Sequence, residues 1–172
     1  MIMEVNVFQS KKEKRITCIV FGIYMFLLCW LILFKFATNI EEIPHMRGVN
    51  LIPFYSGTEN VFHFKEVLYN VLVFVPAGYY LTAFGSEKSP VLGVIGTTLL
   101  SLFFEITQWI FAIGATDITD VITNTLGGFS GMLLFFIMGR IFRNRRVKII
   151  NILGIAIEVL GCLLLGILLI AN

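Results

Sequence analysis

Glu105, Asp117 and Asp120 are the residues whose type and setting most invite chemistry in this 172-residue chain. Glu105 lies inside an apolar run, where a carboxylate in a membrane helix costs about 2.5–3.5 kcal/mol on insertion scales. It is therefore expected to face the interior of a bundle. Thr98, Ser101, Glu105 and Gln108 follow the i, i+3, i+4 spacing of one helical face. Asp117, Asp120 and Asn124 share a second face, and Asn70 stands one turn into another apolar segment. Arg47 and Asn50 precede that segment, beside the apolar Leu51-Ile52-Pro53-Phe54. Such a set can bind a polar head group, carry out acid–base work or hold a divalent cation. No HExxH or GxSxG motif and no Cys/His pair accompanies it. The eight residues Arg47, Asn50, Asn70, Glu105, Gln108, Asp117, Asp120 and Asn124 are accordingly read as a candidate ligand-binding pocket. No catalytic residue is assigned, and neither a metal nor a cofactor is expected.

Plainer roles stand beside these. Asp is a favoured helix N-cap and acids suit the first turn, which serves Asp117 and Asp120 equally well. Asn70, Gln108 and Asn124 can simply join helices by hydrogen bonds. Glu158 sits near the middle of another apolar run without polar company in its helix, and a buried partner contact is expected there. His45 and His63 are loop residues with surface or structural roles.

The elements that must position these side chains are long and apolar. Crossing a hydrocarbon core takes about 20 mainly apolar residues as a helix. Five stretches approach that length, roughly 16–37, 67–84, 91–112, 120–139 and 149–170. The second holds Pro76 and Gly78, which membrane helices tolerate when neighbours re-satisfy the freed backbone groups. Gly127 and Gly131 have the GxxxG spacing that lets another backbone approach closely. The segment 39–66 contains two proline-bearing stretches and a short interfacial helix from Thr58 onward. The expected fold is all-α, a polytopic membrane helix bundle with about five transmembrane helices.

Composition agrees. The chain is 58% hydrophobic and 14% charged, with a mean hydropathy of +0.90. Soluble domains carry roughly 25% charged residues, so the bilayer is the expected solvent. Cys18, Cys29 and Cys162 lie in apolar runs without metal-ligand spacing and read as packing residues. The basic start at Lys11, Lys12, Lys14 and Arg15 precedes a run too long for a signal peptide, so that run is expected to remain as the first span.

Five spans divide the cations unevenly. One side receives Lys11, Lys12, Lys14, Arg15, Lys88, Arg140, Arg143, Arg145, Arg146 and Lys148; the other receives Lys35, Arg47 and Lys65. Cytoplasmic loops hold the excess of Lys and Arg, which puts the N-terminus inside and the C-terminus outside. The Arg140–Lys148 run is read as a juxtamembrane anchor, with no nucleic-acid partner. Glu105 then lies about 10 Å below the outer end of its helix at 1.5 Å per residue. The candidate pocket faces outward.

In order along the chain, Arg47-Gly-Val-Asn50-Leu-Ile-Pro53-Phe54, Asn70-Val-Leu-Val-Phe74-Val-Pro76-Ala-Gly78, Glu105-Ile-Thr-Gln108 and Gly114-Ala-Thr-Asp117-Ile-Thr-Asp120-Val-Ile-Thr-Asn124-Thr-Leu-Gly127-Gly128 form a set. Together they cover roughly residues 47–139, and the set resembles the VanZ-like family, whose namesake is associated with teicoplanin resistance. Many relatives have consecutive acids where this chain has Thr119-Asp120, and some have Arg in place of Ala115 or Thr116. The resemblance implies an integral protein of the bacterial plasma membrane, with residues 1–15 as a basic cytoplasmic N-terminus and 16–172 as one VanZ-like membrane domain. It implies tolerance of glycopeptide antibiotics or of envelope stress. The expected partners are membrane lipids and a lipophilic glycopeptide or cell-wall precursor; the oligomeric state stays open. An intramembrane hydrolase or transferase acting on a lipid-linked envelope substrate is the alternative. A small transporter subunit or membrane adaptor is a third.

Overall fold

The computed structural model describes residues 7–34, 46–54, 64–85 and 89–171. The interfacial helix expected from Thr58 lies outside them, as do Lys35, His45, His63 and Lys88. The first helix, α1 (Lys11–Phe34), begins ahead of the expected first span and takes the basic residues into its opening turns. Its start is fixed by Ser10 and Glu13. Ser10 Oγ accepts the Glu13 N–H at 3.1 Å, and the Glu13 carboxylate accepts the Gln9 N–H at 2.6 Å. The first bond satisfies a donor that a helix start otherwise leaves open, and the second ties Gln9 back onto the opening turn.

The second helix, α2 (Phe64–Gly85), runs through Pro76 without breaking. Proline removes a donor from the helix interior and disturbs the carbonyls of the preceding turn. Tyr24 of α1 donates its hydroxyl to the Val73 carbonyl in that turn, at 2.7 Å. Next come α3 (Val91–Phe111) and α4 (Ile118–Phe142), then a single 3-10 turn over Arg143–Arg145 and α5 (Arg146–Ala171).

By length and composition α1, α2 and α3 can each cross a membrane. That count among the described residues is three rather than the five or so expected. The other two helices are as long; α4 carries Asp120, Asn124 and a glycine series within its apolar run, and α5 carries Asn151 and Glu158. The fold class is nonetheless helical throughout, with one addition that periodicity did not reveal. Residues Met46–Asn50 and Ile113–Asp117 form two short strands, β1 and β2, paired in parallel with Asn50 opposite Asp117.

The centre of the bundle is α2, α3 and α4. Glycines set their spacing. A Cβ at Gly131 would collide with the Val75 carbonyl and the Tyr79 N–H of α2, and one at Gly78 would run into Gly128. Gly128 in turn faces Thr97 of α3. Buried apolar side chains fill the two halves: Leu28, Phe74, Ala77 and Phe104 in one, Val20, Tyr79, Tyr80, Phe135 and Val147 in the other.

The strands tie the α1–α2 and α3–α4 junctions together at one end. At the other end Gln9 donates to the Asn144 carbonyl at 2.7 Å, and Val7 and Phe8 pack in the cluster containing Phe135 and Val147. Lys11, Lys12, Lys14, Arg15 and the Arg140–Lys148 run therefore share one end, and Arg47 lies at the opposite one.

Candidate functional site

The strand end of the bundle collects the polar residues, and each is placed by a nameable local cause. Arg47 on β1 sends Nε to the Trp109 carbonyl (3.1 Å) and Nη2 to the Ile110 carbonyl (3.2 Å), and lies over the Trp109 ring. A cation on the last carbonyls of a helix satisfies unpaired acceptors and the helix dipole together. Ala112 then turns left-handed at φ 53°, releasing the chain into β2.

Strand register brings Asn50 beside Asp117, and Asn50 Nδ2 donates to Asp117 Oδ2 at 3.0 Å. The same asparagine folds its Oδ1 onto the Ile52 N–H at 3.1 Å, an Asx turn. Asp117 Oδ1 accepts the Thr119 N–H at 2.7 Å, so Asp117 is the N-cap of α4. Thr119 Oγ1 accepts the Phe54 N–H at 2.9 Å, fastening the segment after β1 to the start of α4.

Glu105 stands at the middle of this arrangement and is 4% exposed. Its Oε2 accepts the backbone N–H of Asp117 at 2.9 Å, and its own carbonyl accepts the Thr116 hydroxyl at 3.0 Å. Asp117 and Asp120 both lie near enough to act on it electrostatically. Asn70 of α2 donates to Asp120 Oδ1 at 2.7 Å. One turn deeper, Asn124 of α4 donates to Ser101 Oγ of α3 at 2.9 Å. The Asn124 Oδ1, on a residue 3% exposed, has no partner among the described residues. Below it Thr98 and Thr125 share a hydroxyl contact of 3.1 Å, and the glycine crossing begins.

Of the eight sequence candidates, Asn50, Asn70, Glu105, Asp117, Asp120 and Asn124 come together between α2, α3, α4 and the strands. Two stand apart. Arg47 is committed to the end of α3, and Gln108 donates to the Ile32 carbonyl of α1 at 2.9 Å, bracing α1 against α3. Three residues absent from the candidate set complete the linkage: Ser101, Thr116 and Thr119. Ser101 was visible as a member of the Glu105 face. The threonines carried no signal, because their role depends on a strand pairing that joins distant segments. Among the described residues no group of three or more His, Cys, Asp or Glu is arranged to hold a metal ion.

Chemically this is a nest of acceptors. Glu105 and Asp117 receive amide and side-chain N–H groups from this chain, and Asn124 keeps one acceptor unused. It suits a ligand that donates hydrogen bonds. The VanZ/LLP1 family model matches residues 21–143, which contain every residue named in this site. Protein VanZ from Enterococcus faecium is 42% identical over 142 residues, spanning 81% of this chain and 86% of that protein. No solved structure matches the chain.

Proposed function

The chain belongs to the VanZ/LLP1 family, and on that premise we propose that it contributes to tolerance of teicoplanin-type glycopeptides or of cell-envelope stress. It does so by presenting the Glu105 site outward to an amphiphilic ligand. The protein lies in the bacterial plasma membrane with the basic end cytoplasmic, following the excess of Lys and Arg there. The strand end then meets the outer leaflet. A lipophilic glycopeptide or a lipid-linked cell-wall precursor would place its chain along the α2–α4 face and its polar head among Asn70, Glu105, Asp120 and Asn124.

The observation that carries this reading is the convergence of polar side chains from α2, α3 and α4 on Glu105 at one end of an otherwise apolar bundle. Burying a carboxylate in such a place is costly, and its internal bonds stop short of using every acceptor beside it. Strains carrying Glu105→Ala or Asp120→Asn at unchanged protein level are expected to lose tolerance to teicoplanin. Full tolerance in both expressed variants would sink the reading.

An intramembrane hydrolase or transferase is the second reading, favoured by three carboxylates sharing one electrostatic environment. Purified protein that fails to turn over lipid-linked precursors, with and without divalent cations, would remove it.

A further inference from the structure

Two hydrogen bonds hold α1 and α5 side by side. Gln9, just ahead of α1, donates to the carbonyl of Asn144, just ahead of α5, at 2.7 Å. Further in, Asn151 of α5 donates to the Thr17 hydroxyl of α1 at 2.8 Å. The bonds come in the same order along both helices, so α1 and α5 run parallel and begin together. Val7 and Phe8 pack in one cluster with Val147 at this end.

Both starts are loaded with cations. Lys11, Lys12, Lys14 and Arg15 open α1. Arg143 and Arg145 fill the turn before α5, and Arg146 and Lys148 open it. All but Arg146 are exposed, and the Arg146 guanidinium lies over the Phe135 ring. Glu13 is the one acid among the described residues at this end, and its carboxylate accepts the Gln9 N–H. Among the described residues no carboxylate pairs with any of these cations. A helix start carries partial positive charge and favours acids. Two parallel starts therefore add their dipoles to charges of the same sign, and an anion relieves the resulting potential.

Apolar surface begins where the cations end. On α1, Ile16 and Ile19 are 38% and 56% exposed; on α5, Ile152 and Leu153 are 57% and 50% exposed. Cations beside open apolar surface match an anionic amphiphile, with its phosphate at the helix starts and its acyl chains along the helices. Free phosphate or a nucleic acid matches the charge alone and leaves the apolar flank uncovered.

We propose that the paired starts of α1 and α5 form one binding surface for the phosphate head groups of anionic phospholipids. The two segments act jointly, since each supplies half of the cations. The surface shares no residue with the Glu105 site and does not rest on that site's function.

The full chain would be purified in a neutral detergent and unfolded thermally with added phosphatidylglycerol, phosphatidylcholine or inorganic phosphate at matched concentration. Native mass spectrometry would count the bound lipids. Phosphatidylglycerol should bind in preference to phosphatidylcholine and raise the midpoint saturably, by roughly 4 °C at about ten-fold over its dissociation constant. The other two additives should leave the midpoint where it was. Raised salt should weaken the shift, because exposed charges are screened. Lys11→Gln, Lys12→Gln and Lys14→Gln together, or Arg145→Gln with Lys148→Gln, should each remove at least half of it. Lys65→Gln, an exposed cation at the opposite end, should keep it. Equal shifts from the two lipids, or the same shift from inorganic phosphate, would overturn the proposal. So would a full shift in either multiple variant, because the two starts would then not share the surface.

Discussion

Glu105 holds the N–H of Asp117, and Asp117 in turn holds the first turn of α4. Glu105→Ala strips the partner from a part-buried N–H, and about 1–3 kcal/mol of stability should go with it. Thermal unfolding of the purified variant measures that loss. Asp117 separates capping from charge. Asp117→Asn keeps an N-cap acceptor, so its stability should stay within a few tenths of a kcal/mol, whereas Asp117→Ala should cost about 1 kcal/mol. If Asp117→Asn is as stable as wild type and loses teicoplanin tolerance, the charge itself is used; retained tolerance assigns Asp117 to capping. The sequence made these residues visible because a carboxylate in an apolar run is conspicuous. It did not say which would bond to which. Glu105 reaches a backbone N–H rather than another side chain, and backbone donors leave no trace in residue type.

At the scale of elements, the α2–α4 crossing depends on having no side chain where the backbones meet. Gly131→Val puts a branched side chain against the Val75 carbonyl and the Tyr79 N–H, and it should cost about 3 kcal/mol, the upper end for overpacking. Gly161 has open space around it, so Gly161→Val should leave unfolding unchanged. Comparable losses from both would contradict a crossing made by α2 and α4. The helices and the GxxxG contact were legible because hydrophobic runs and small-residue spacing are local signals. The strands were not. Met46–Asn50 and Ile113–Asp117 are five residues each and pair across two intervening helices, so neither segment carries its partner in its own pattern. The early start of α1 is carried by Ser10-Lys-Lys-Glu13, a capping pattern weaker than the apolar run that follows it.

At the scale of the molecule, the two ends differ in charge and in content. One gathers the basic residues and the Gln9–Asn144 contact; the other gathers the strands and the Glu105 site. If all five helices cross, fluorescent protein fused after Asn144 should be bright and a fusion at Asn172 dark, with phosphatase activity reversed. A bright fusion at Asn172 would contradict a C-terminus outside, and a dark fusion after Asn144 would move the Glu105 site away from the outer leaflet. The central claim is that this site serves tolerance of an amphiphilic glycopeptide. Its most direct test is a tolerance profile of deletion, wild-type and Glu105→Ala strains across teicoplanin, vancomycin and lipid-directed agents, with protein level matched. The account predicts that deletion and Glu105→Ala lose tolerance to teicoplanin selectively. Unchanged tolerance to teicoplanin in the deletion strain, or full tolerance in Glu105→Ala, would contradict it.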